Sequence, residues 1–447
     1  MRWLFILLIS VLAAADILGN DMSLGPGLSP KNAVLYVIAL AMFFRLALSG
    51  NQSRPRLPML QAAFAVWLGY ATLSYATCCF IVHWTAYDVK ESGMLLKSQL
   101  YDMALFCFTI FYAVRNEADF KLLLKTLVSA IGLSSILTLT DVIGLTHFGV
   151  RVGQEGAEAD RVFGMFGHAN ETGALLVGLL PAMVAVATAS RGPARLWWYA
   201  GVLSTLAVLV LTVSRGSYVA VVLGYGAAAF VCRRFLPLSR VASWLVTGLI
   251  GALVVSILVT LIVPNVGDVI GDRLLGASTS IDMSEVSSGR TSVWTNTLQH
   301  MIDTPVSFLS GFGWNVYETR FVYATHNYYL DLWFDLGVVG VVAFITILYQ
   351  SVTTASRAAL LASAEMRPFM IAVVFGVLGV AVNILFTNLS KPWPYIWMYI
   401  GMSLSVAAKI IAEKATQRAA EPTLVTASPG LPRGREPAHL PSAHGAR

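Results

Sequence analysis

Charged residues are scarce in this 447-residue sequence: Asp, Glu, Lys and Arg together make up 12 % of it, about half their usual share in soluble proteins. Four cysteines are present and none forms a Cys-x-x-Cys pair, so no cysteine metal site is indicated. The ATP-binding pattern Gly-x-x-x-x-Gly-Lys and the Asp-x-Asp handle of many sugar transferases are absent, as are Gly-x-Ser-x-Gly and His-Glu-x-x-His. The composition excludes an ordinary cytosolic enzyme, and the missing nucleotide motif excludes an ATP drive of the chain's own.

Hydrophobic residues, by contrast, make up 57 % of the chain, and its mean hydropathy is +0.70. They collect in apolar runs of roughly 20 residues, the length that a helix needs to cross a bilayer. The sequence therefore predicts an all-α polytopic membrane protein with about 12 transmembrane helices and one large outer loop containing short helices. The apolar runs are residues 3–19, 32–48, 58–82, 94–114, 120–146, 170–189, 196–213, 217–235, 241–263, 327–350, 368–387 and 393–413.

The basic residues predict the orientation. With the N-terminus in the cytoplasm, 20 of the 30 Lys and Arg residues fall on the inner side and nine on the outer side, which indicates that both termini are cytoplasmic. The excess of six positive charges then reflects inner loops and not a nucleic-acid partner. We expect transmembrane helices 1–9 over residues 1–263, the large outer loop over 264–326, helices 10–12 over 327–413 and a disordered cytoplasmic tail over 414–447.

Two arginines on the outer side are candidate anion ligands. Arg215 occupies a short turn at the membrane boundary, where it is either a snorkelling anchor or a phosphate clamp. Arg290 falls in the first turn of a helix predicted to begin with a serine cap near residue 288, where unpaired backbone N–H groups favour an anion. Trp294, four residues on, is placed to pack on this guanidinium. The alternative for Arg290 is an exposed loop arginine.

His326 is the last residue before a predicted span, at the outer interface. Its neutral ring can accept a hydroxyl proton, so it is either a general base or a structural polar group. Asp331 and Asp335 share one helix face, and each either orients a partner or pairs with a neighbouring span.

Residues 161–171 form a fourth polar cluster at the start of the sixth span. Gly164 and Gly167 make its entry flexible, and Asn170 is the predicted N-cap. His168 and Glu171 are three residues apart, and a single His–Glu pair does not make a metal site. We expect no metal here.

The order of these motifs resembles the bacterial O-antigen ligase and polysaccharide polymerase superfamily over about residues 161–340. The motifs are Phe166-Gly-His-Ala-Asn170, Arg215-Gly216, Gly289-Arg290-x-x-x-Trp294, Gly311-Phe-Gly-Trp314, His326-Asn-Tyr-Tyr-Leu330 and Leu336-Gly-Val-Val-Gly340.

The resemblance implies a glycosyltransferase of the bacterial inner membrane whose active site faces the periplasm, so that the large outer loop is periplasmic. Its donor would be a glycan on undecaprenyl diphosphate, bound by Arg215 and Arg290, and His326 would be the catalytic base. A single displacement would invert the anomeric carbon. No cofactor or metal is expected, because the arginines would offset the charge of the diphosphate. The further candidates for substrate binding or support are Arg161, Asn170, Trp294, Trp314, Tyr323, Asn327 and Asp331.

The acceptor stays open at this point. A ligase would use lipid A–core, which is the leading interpretation, and an O-antigen or exopolysaccharide polymerase would use a second lipid-linked glycan. A lipid-linked oligosaccharide flippase or other transporter is the alternative from another class, although few ionisable residues fall within the predicted spans. Membrane lipids are expected partners, nucleic acid is not, and no residue indicates a protein partner.

Overall fold

A computed structural model describes residues 2–17, 28–48, 55–146, 161–262, 289–321 and 323–420. Within these ranges the chain forms helices and contains no β-strand. We number the described helices in chain order, taking a π-helical turn as part of the helix that it continues. They are α1 (Arg2–Ile17), α2 (Pro30–Leu48), α3 (Pro58–Val82), α4 (Val89–Ala113), α5 (Glu117–Val142), α6 (Ala169–Ala189), α7 (Pro193–Leu211), α8 (Arg215–Cys232), α9 (Leu238–Ile262), α10 (Arg290–Asp303), α11 (Val306–Ser310), α12 (Val316–Arg320), α13 (Tyr328–Leu361), α14 (Arg367–Asn383) and α15 (Trp393–Ala420).

In the part of the chain that the structure describes, nine helices are long and apolar enough to cross a membrane: α2 to α8, α13 and α15. The all-helical membrane fold is therefore confirmed. The other three predicted runs form α1, α9 and α14, so every run coincides with a helix. The count of 12 spans and the side on which each loop lies stay predictions.

Several predicted boundaries change. α13 continues to Leu361, well past residue 350, and α15 continues to Ala420, so the first seven residues of the predicted tail are helical. Residues 421–447 of that tail lie outside the described residues, as do residues 147–160 and residues 264–288 of the predicted large outer loop. The N-cap of α10 is Gly289 and not a serine, although Arg290 does stand in the first turn as predicted.

Glycine contacts hold α14 between α6 and α8. A Cβ on Gly376 would lie 2.3 Å from the carbonyl oxygen of Gly178 in α6, and one on Gly379 would lie 2.7 Å from a methyl group of Val177. On the other side, a Cβ on Gly224 of α8 would lie 2.8 Å from the Cα of Gly379. Small residues allow membrane helices to approach this closely. The last turn of α14 is thereby placed next to the first turns of both neighbours.

The Gly-Phe-Gly-Trp segment docks into a kink of α13. Gly337 has φ 61° and ψ −164°, which interrupts the helix. The carbonyls of Phe334 and Asp335 accept N–H groups from Phe312 at 2.8 Å and from Gly313 at 3.0 Å. In a regular helix these carbonyls would pair with residues four positions further on. The kink therefore attaches the loop helices to α13.

The Asp335 carboxylate completes this attachment. Its two oxygens accept the backbone N–H groups of Asn315 and Tyr317, each at 2.9 Å, at the start of α12. The sequence left a partner residue or a neighbouring span as its two alternatives. The structure shows loop backbone instead, because the kink turns this face of α13 toward residues 311–317.

Candidate active site

Arg215 and His326 are brought to one region by the end of α14. The side-chain amide of Asn383 donates to Ser217 Oγ at 3.0 Å, two residues after Arg215. The next carbonyl, that of Ile384, accepts the N–H of Tyr328 at 2.9 Å, two residues after His326. One turn of α14 thus touches the first turn of α8 and the first turn of α13. Both helix N-termini present backbone N–H groups and the positive end of the helix dipole.

Arg215 is the first residue of α8 and is half-buried. Ser214 is the N-cap, and its hydroxyl accepts the N–H of Ser217 at 3.4 Å. The loop after α14 lies against Gly216, and a Cβ at this position would be 2.6 Å from Phe386 Cβ. The close contact therefore favours glycine at position 216. The Arg-Gly pair therefore combines a cation at a helix N-terminus with a close contact between two elements.

A buried polar chain holds this turn in place. Arg161, 2 % exposed, donates from Nε to the Thr212 carbonyl at 3.0 Å and from Nη2 to Asn170 Oδ1 at 2.9 Å. Ser214 Oγ donates to the same Asn170 oxygen at 3.0 Å, and Ser217 Oγ donates to Ser214 at 3.0 Å. Connected hydrogen bonds of this kind hold a single geometry. Arg161 and Asn170 therefore support the turn that carries Arg215.

The prediction that Asn170 caps α6 was wrong. The helix begins at Ala169, its N-cap is His168, and no side chain caps it. The Asn170 side chain instead accepts from Arg161 and Ser214, which reach it from outside the helix. A cap is made within three residues, whereas these donors lie nine and 44 positions away in the sequence.

His326 is half-buried and has φ 52°, in the left-handed region that residues other than glycine adopt uncommonly. Fixed residues stand on both sides of it. The Thr325 hydroxyl accepts the Asn327 N–H at 2.9 Å, and Asn327 caps α13 by accepting from Tyr329 and Leu330 at 3.1 and 3.2 Å. Strained backbone concentrates at functional sites, where the surrounding structure over-determines it.

Asp331 connects His326 to a loop that sequence reasoning missed. Its carboxylate accepts from the Thr325 hydroxyl and from the side-chain amide of Asn388. Asn388 belongs to residues 384–392, between α14 and α15. In the same loop, Ser390 donates its N–H and its hydroxyl to Glu171 Oε1 of α6 at 2.9 and 2.8 Å. This loop therefore contacts α6, α8 and α13. In the sequence, a run of polar residues between two apolar runs was the signal that could have identified it.

α10 places Arg290 on the same side. The indole N–H of Trp294 donates to the Thr325 carbonyl at 2.7 Å, and Thr325 directly precedes His326. Arg290, one helical turn earlier, is thereby tied to the segment that carries the imidazole. This hydrogen bond is consistent with the predicted support role of Trp294, and the packing of Trp294 on Arg290 stays a prediction.

Two further aromatic candidates have different surroundings. Trp314 is 5 % exposed, its indole N–H donates to the Ser92 carbonyl at 3.0 Å, and its position favours support over sugar stacking. Tyr323 is 73 % exposed. Its carbonyl accepts the Tyr317 hydroxyl at 2.9 Å. Burial, partly offset by a hydrogen bond with Thr297, raises the pKa of Tyr317 to about 12, so its hydroxyl keeps its proton and holds Tyr323 in place.

The structure thus brings the segments that carry Arg215 and Arg290, two permanent cations, to the segment that carries the half-buried imidazole of His326. Guanidinium groups bind phosphate through two parallel hydrogen bonds, and an imidazole can accept a proton near neutral pH. Among the described residues no group of three or more His, Cys, Asp or Glu side chains could hold a metal ion. The arrangement suits the departure of an anionic group and the activation of a hydroxyl.

These features define a multi-pass, all-helical membrane protein with a polar site at one end of its bundle. Residues 200–345 match the family model described as O-antigen ligase, which supports an O-antigen ligase-related family for this chain. The match agrees with the resemblance noted from the motifs and supports a function of the O-antigen ligase or polymerase type in general. The matched segment contains Arg215, Arg290 and His326 but neither Arg161 nor residues 384–392. The comparison with curated proteins gave no match.

Proposed function

We propose that this protein transfers a glycan from undecaprenyl diphosphate to a sugar hydroxyl on the periplasmic face of the bacterial inner membrane. The leading acceptor is lipid A–core, which makes the protein a ligase. The alternative is a polymerase that uses a second lipid-linked repeat unit as acceptor. The family match supports the class of reaction, and the donor, the acceptor and the membrane side are parts of the proposal.

One observation carries the proposal: the adjacent residues Asn383 and Ile384 bond to the first turns of the helices that follow Arg215 and His326. A diphosphate leaving group needs cations, and a hydroxyl nucleophile needs a base on the same reacting carbon. The last turn of α14 puts the backbone of both in one place. Trp294 adds the helix of Arg290 through its contact with Thr325.

The reaction follows from these positions. The acceptor oxygen attacks the anomeric carbon, and its proton passes to the neutral ring of His326. The bond between that carbon and the diphosphate oxygen breaks, and the diphosphate keeps the electron pair. Arg215 and Arg290 stabilise the charge that develops on it. Attack and departure on opposite faces invert the anomeric carbon, and no metal enters the scheme.

The test is transfer by the purified full chain in detergent, with a lipid-diphosphate glycan as donor. Lipid A–core and a second lipid-linked unit are supplied in separate reactions. Product on lipid A–core indicates a ligase, and a lengthened lipid-linked chain indicates a polymerase. No product with either acceptor, from protein that is monodisperse and folded, contradicts the proposal and favours lipid-linked oligosaccharide transport.

His326→Asn is the sharpest variant in this assay, because asparagine tolerates the left-handed backbone and has no titrating ring. We expect a loss of transfer of at least about a hundredfold, the usual range for a general base. His83→Asn is the matched control, since His83 is exposed and has φ 48°. His326→Ala should also lose transfer while still accumulating in the membrane. Unchanged activity in both variants would remove His326 from the mechanism.

Lysine substitutions test the arginines separately. Arg215→Lys and Arg290→Lys keep the charge and lose the planar fork, so we expect each to lower kcat/KM by about tenfold or more. Arg191→Lys, at an exposed position between α6 and α7, is the control. A wild-type kcat/KM in Arg215→Lys or Arg290→Lys would indicate that the substituted arginine is a membrane anchor and does not bind the diphosphate.

A further inference from the structure

A cavity of about 560 Å³ lies between the C-terminal end of α3 and the loop helices α10 to α12. Its size falls within the range of roughly 300–1,000 Å³ that is typical of small-molecule sites. Apolar side chains on both walls line it, among them Leu73, Val82, Val306 and Phe312. None of the residues proposed above for the chemistry belongs to its lining.

The apolar walls are accessible from outside. Leu73 is 63 % exposed and Val306 is 73 % exposed, although both line the cavity. Phe80 and Ile81, beside it on α3, are 79 % and 74 % exposed. Because α3 is apolar and long enough to span a membrane, an exposed apolar face at its end meets lipid chains. A hydrocarbon chain therefore has a direct way in from the bilayer.

The lining also has a polar part. The Arg320 guanidinium lies 4.4 Å from the ring centroid of Trp84, and both residues line the cavity. Asp303 is present too, and its carboxylate accepts from the Gln299 side chain at 2.8 Å. A cation, a carboxylate and hydroxyl side chains on one wall suit a polar headgroup bearing hydroxyls better than a bare hydrocarbon.

The cavity has a defined position relative to His326. Gly313, in its lining, donates to the Asp335 carbonyl at 3.0 Å. His326 lies two residues before α13, and Asp335 is seven residues after the first residue of α13, or about 10 Å along the helix. The cavity is built on α3, whereas the turn of Arg215 is packed on α14. α13, which begins just after His326, packs against both α3 and α14.

We propose that this cavity binds the lipid anchor and first polar group of the acceptor glycolipid. The inference rests on the proposed function, in which two lipid-linked substrates occupy one face of the protein at once. The donor diphosphate uses Arg215 and Arg290, so the acceptor needs a second entrance from the bilayer. Because about 10 Å of helix separates the start of α13 from Asp335, we expect the reacting sugar to lie beyond a short oligosaccharide and not directly on the lipid.

Binding without transfer tests the site by itself. Native mass spectrometry of the full chain in detergent would count bound lipid A–core and, separately, bound undecaprenyl-diphosphate repeat unit. Leu73→Trp and Val306→Trp fill the cavity from opposite walls, and Leu133→Trp, at a 54 % exposed leucine on α5, is the control. We expect at least tenfold weaker lipid A–core binding in both filled variants if the acceptor is lipid A–core. For a polymerase, two bound repeat units should fall to one.

Transfer kinetics provide a second test of the acceptor site. In variants that keep wild-type thermal unfolding, KM for the acceptor should rise at least tenfold, with kcat and KM for the donor within twofold of wild type. Unchanged acceptor binding in both filled variants overturns the inference, as does a rise in KM for the donor alone. A wild-type protein that binds acceptor in the cavity and transfers nothing refutes the proposed function. A protein that transfers normally with the cavity filled refutes the acceptor site.

Discussion

His326 stands between Thr325, whose hydroxyl bonds to the backbone N–H and carbonyl of Asn327, and Asn327, whose side-chain oxygen accepts the N–H groups of the first turn of α13. Thr325 is also held from two directions, by the Trp294 indole at its carbonyl and by the Asp331 carboxylate at its hydroxyl. The imidazole is thus presented by residues that fix the backbone on each side. Small displacements of a catalytic group can cost about two orders of magnitude in rate, so these neighbours matter for activity.

Asn327→Ala tests this arrangement. Loss of the cap on α13 should lower the free energy of unfolding by about 1 kcal/mol and, by moving His326, lower kcat by about tenfold. Asn327→Ser keeps an N-cap oxygen and should restore most of the activity. Thermal unfolding and steady-state transfer are the measurements. A serine variant as impaired as the alanine variant would show that the amide contacts substrate and does not act through the cap.

At the scale of elements, the kink at Gly337 joins the outer loop helices to α13. Gly337 has a positive φ, and a Cβ there would lie 2.2 Å from the Leu309 carbonyl oxygen and 2.5 Å from the Gly311 nitrogen. Glycine is therefore required twice, by conformation and by space. Gly311 of the same junction also lines the cavity between α3 and the loop helices.

Gly337→Ala should accordingly displace residues 309–313. We expect a loss of unfolding free energy of about 3 kcal/mol or more, since strain at a positive φ adds to a steric clash. Gly226→Ala in α8 is the control, because a Cβ there meets nothing within 4 Å. Thermal unfolding in detergent measures both variants. Equal unfolding temperatures would mean that the loop does not depend on this junction.

The elements also show what a sequence can and cannot predict. The apolar runs predicted the positions of α1 to α9 and of α13 to α15, because hydropathy is a property of consecutive residues. Arg215 and His326 were found as residues of unusual chemistry at membrane boundaries. Asn383 and Asn388 were missed, since their importance comes from partners 166 and 57 positions away. Asp335 was noticed, but its loop-backbone partners depend on a kink that periodicity does not reveal.

At the scale of the whole molecule, α13 is long enough to connect the two faces of a membrane. Its 34 residues amount to about 51 Å of helix, kinked at Gly337, against the roughly 30 Å of a hydrocarbon core. The kink divides a short N-terminal part, which carries Asp331 and Asp335, from a longer apolar part. His326 just precedes the N-terminal part, and Leu361 ends the apolar part. The side on which each end lies decides whether the site faces the periplasm.

Single cysteines at the two ends of α13 resolve this orientation, in a background whose four native cysteines are replaced by alanine. Tyr323→Cys replaces a 73 % exposed residue near His326, and Leu360→Cys replaces a 48 % exposed residue at the other end. The surplus of basic residues on the predicted inner side puts Tyr323 in the periplasm. An impermeant maleimide should then label Tyr323→Cys in cells with a permeable outer membrane and label Leu360→Cys only after lysis. The reverse pattern would place His326 in the cytoplasm and contradict transfer on the periplasmic face, because one span fewer before α13 inverts everything that follows it.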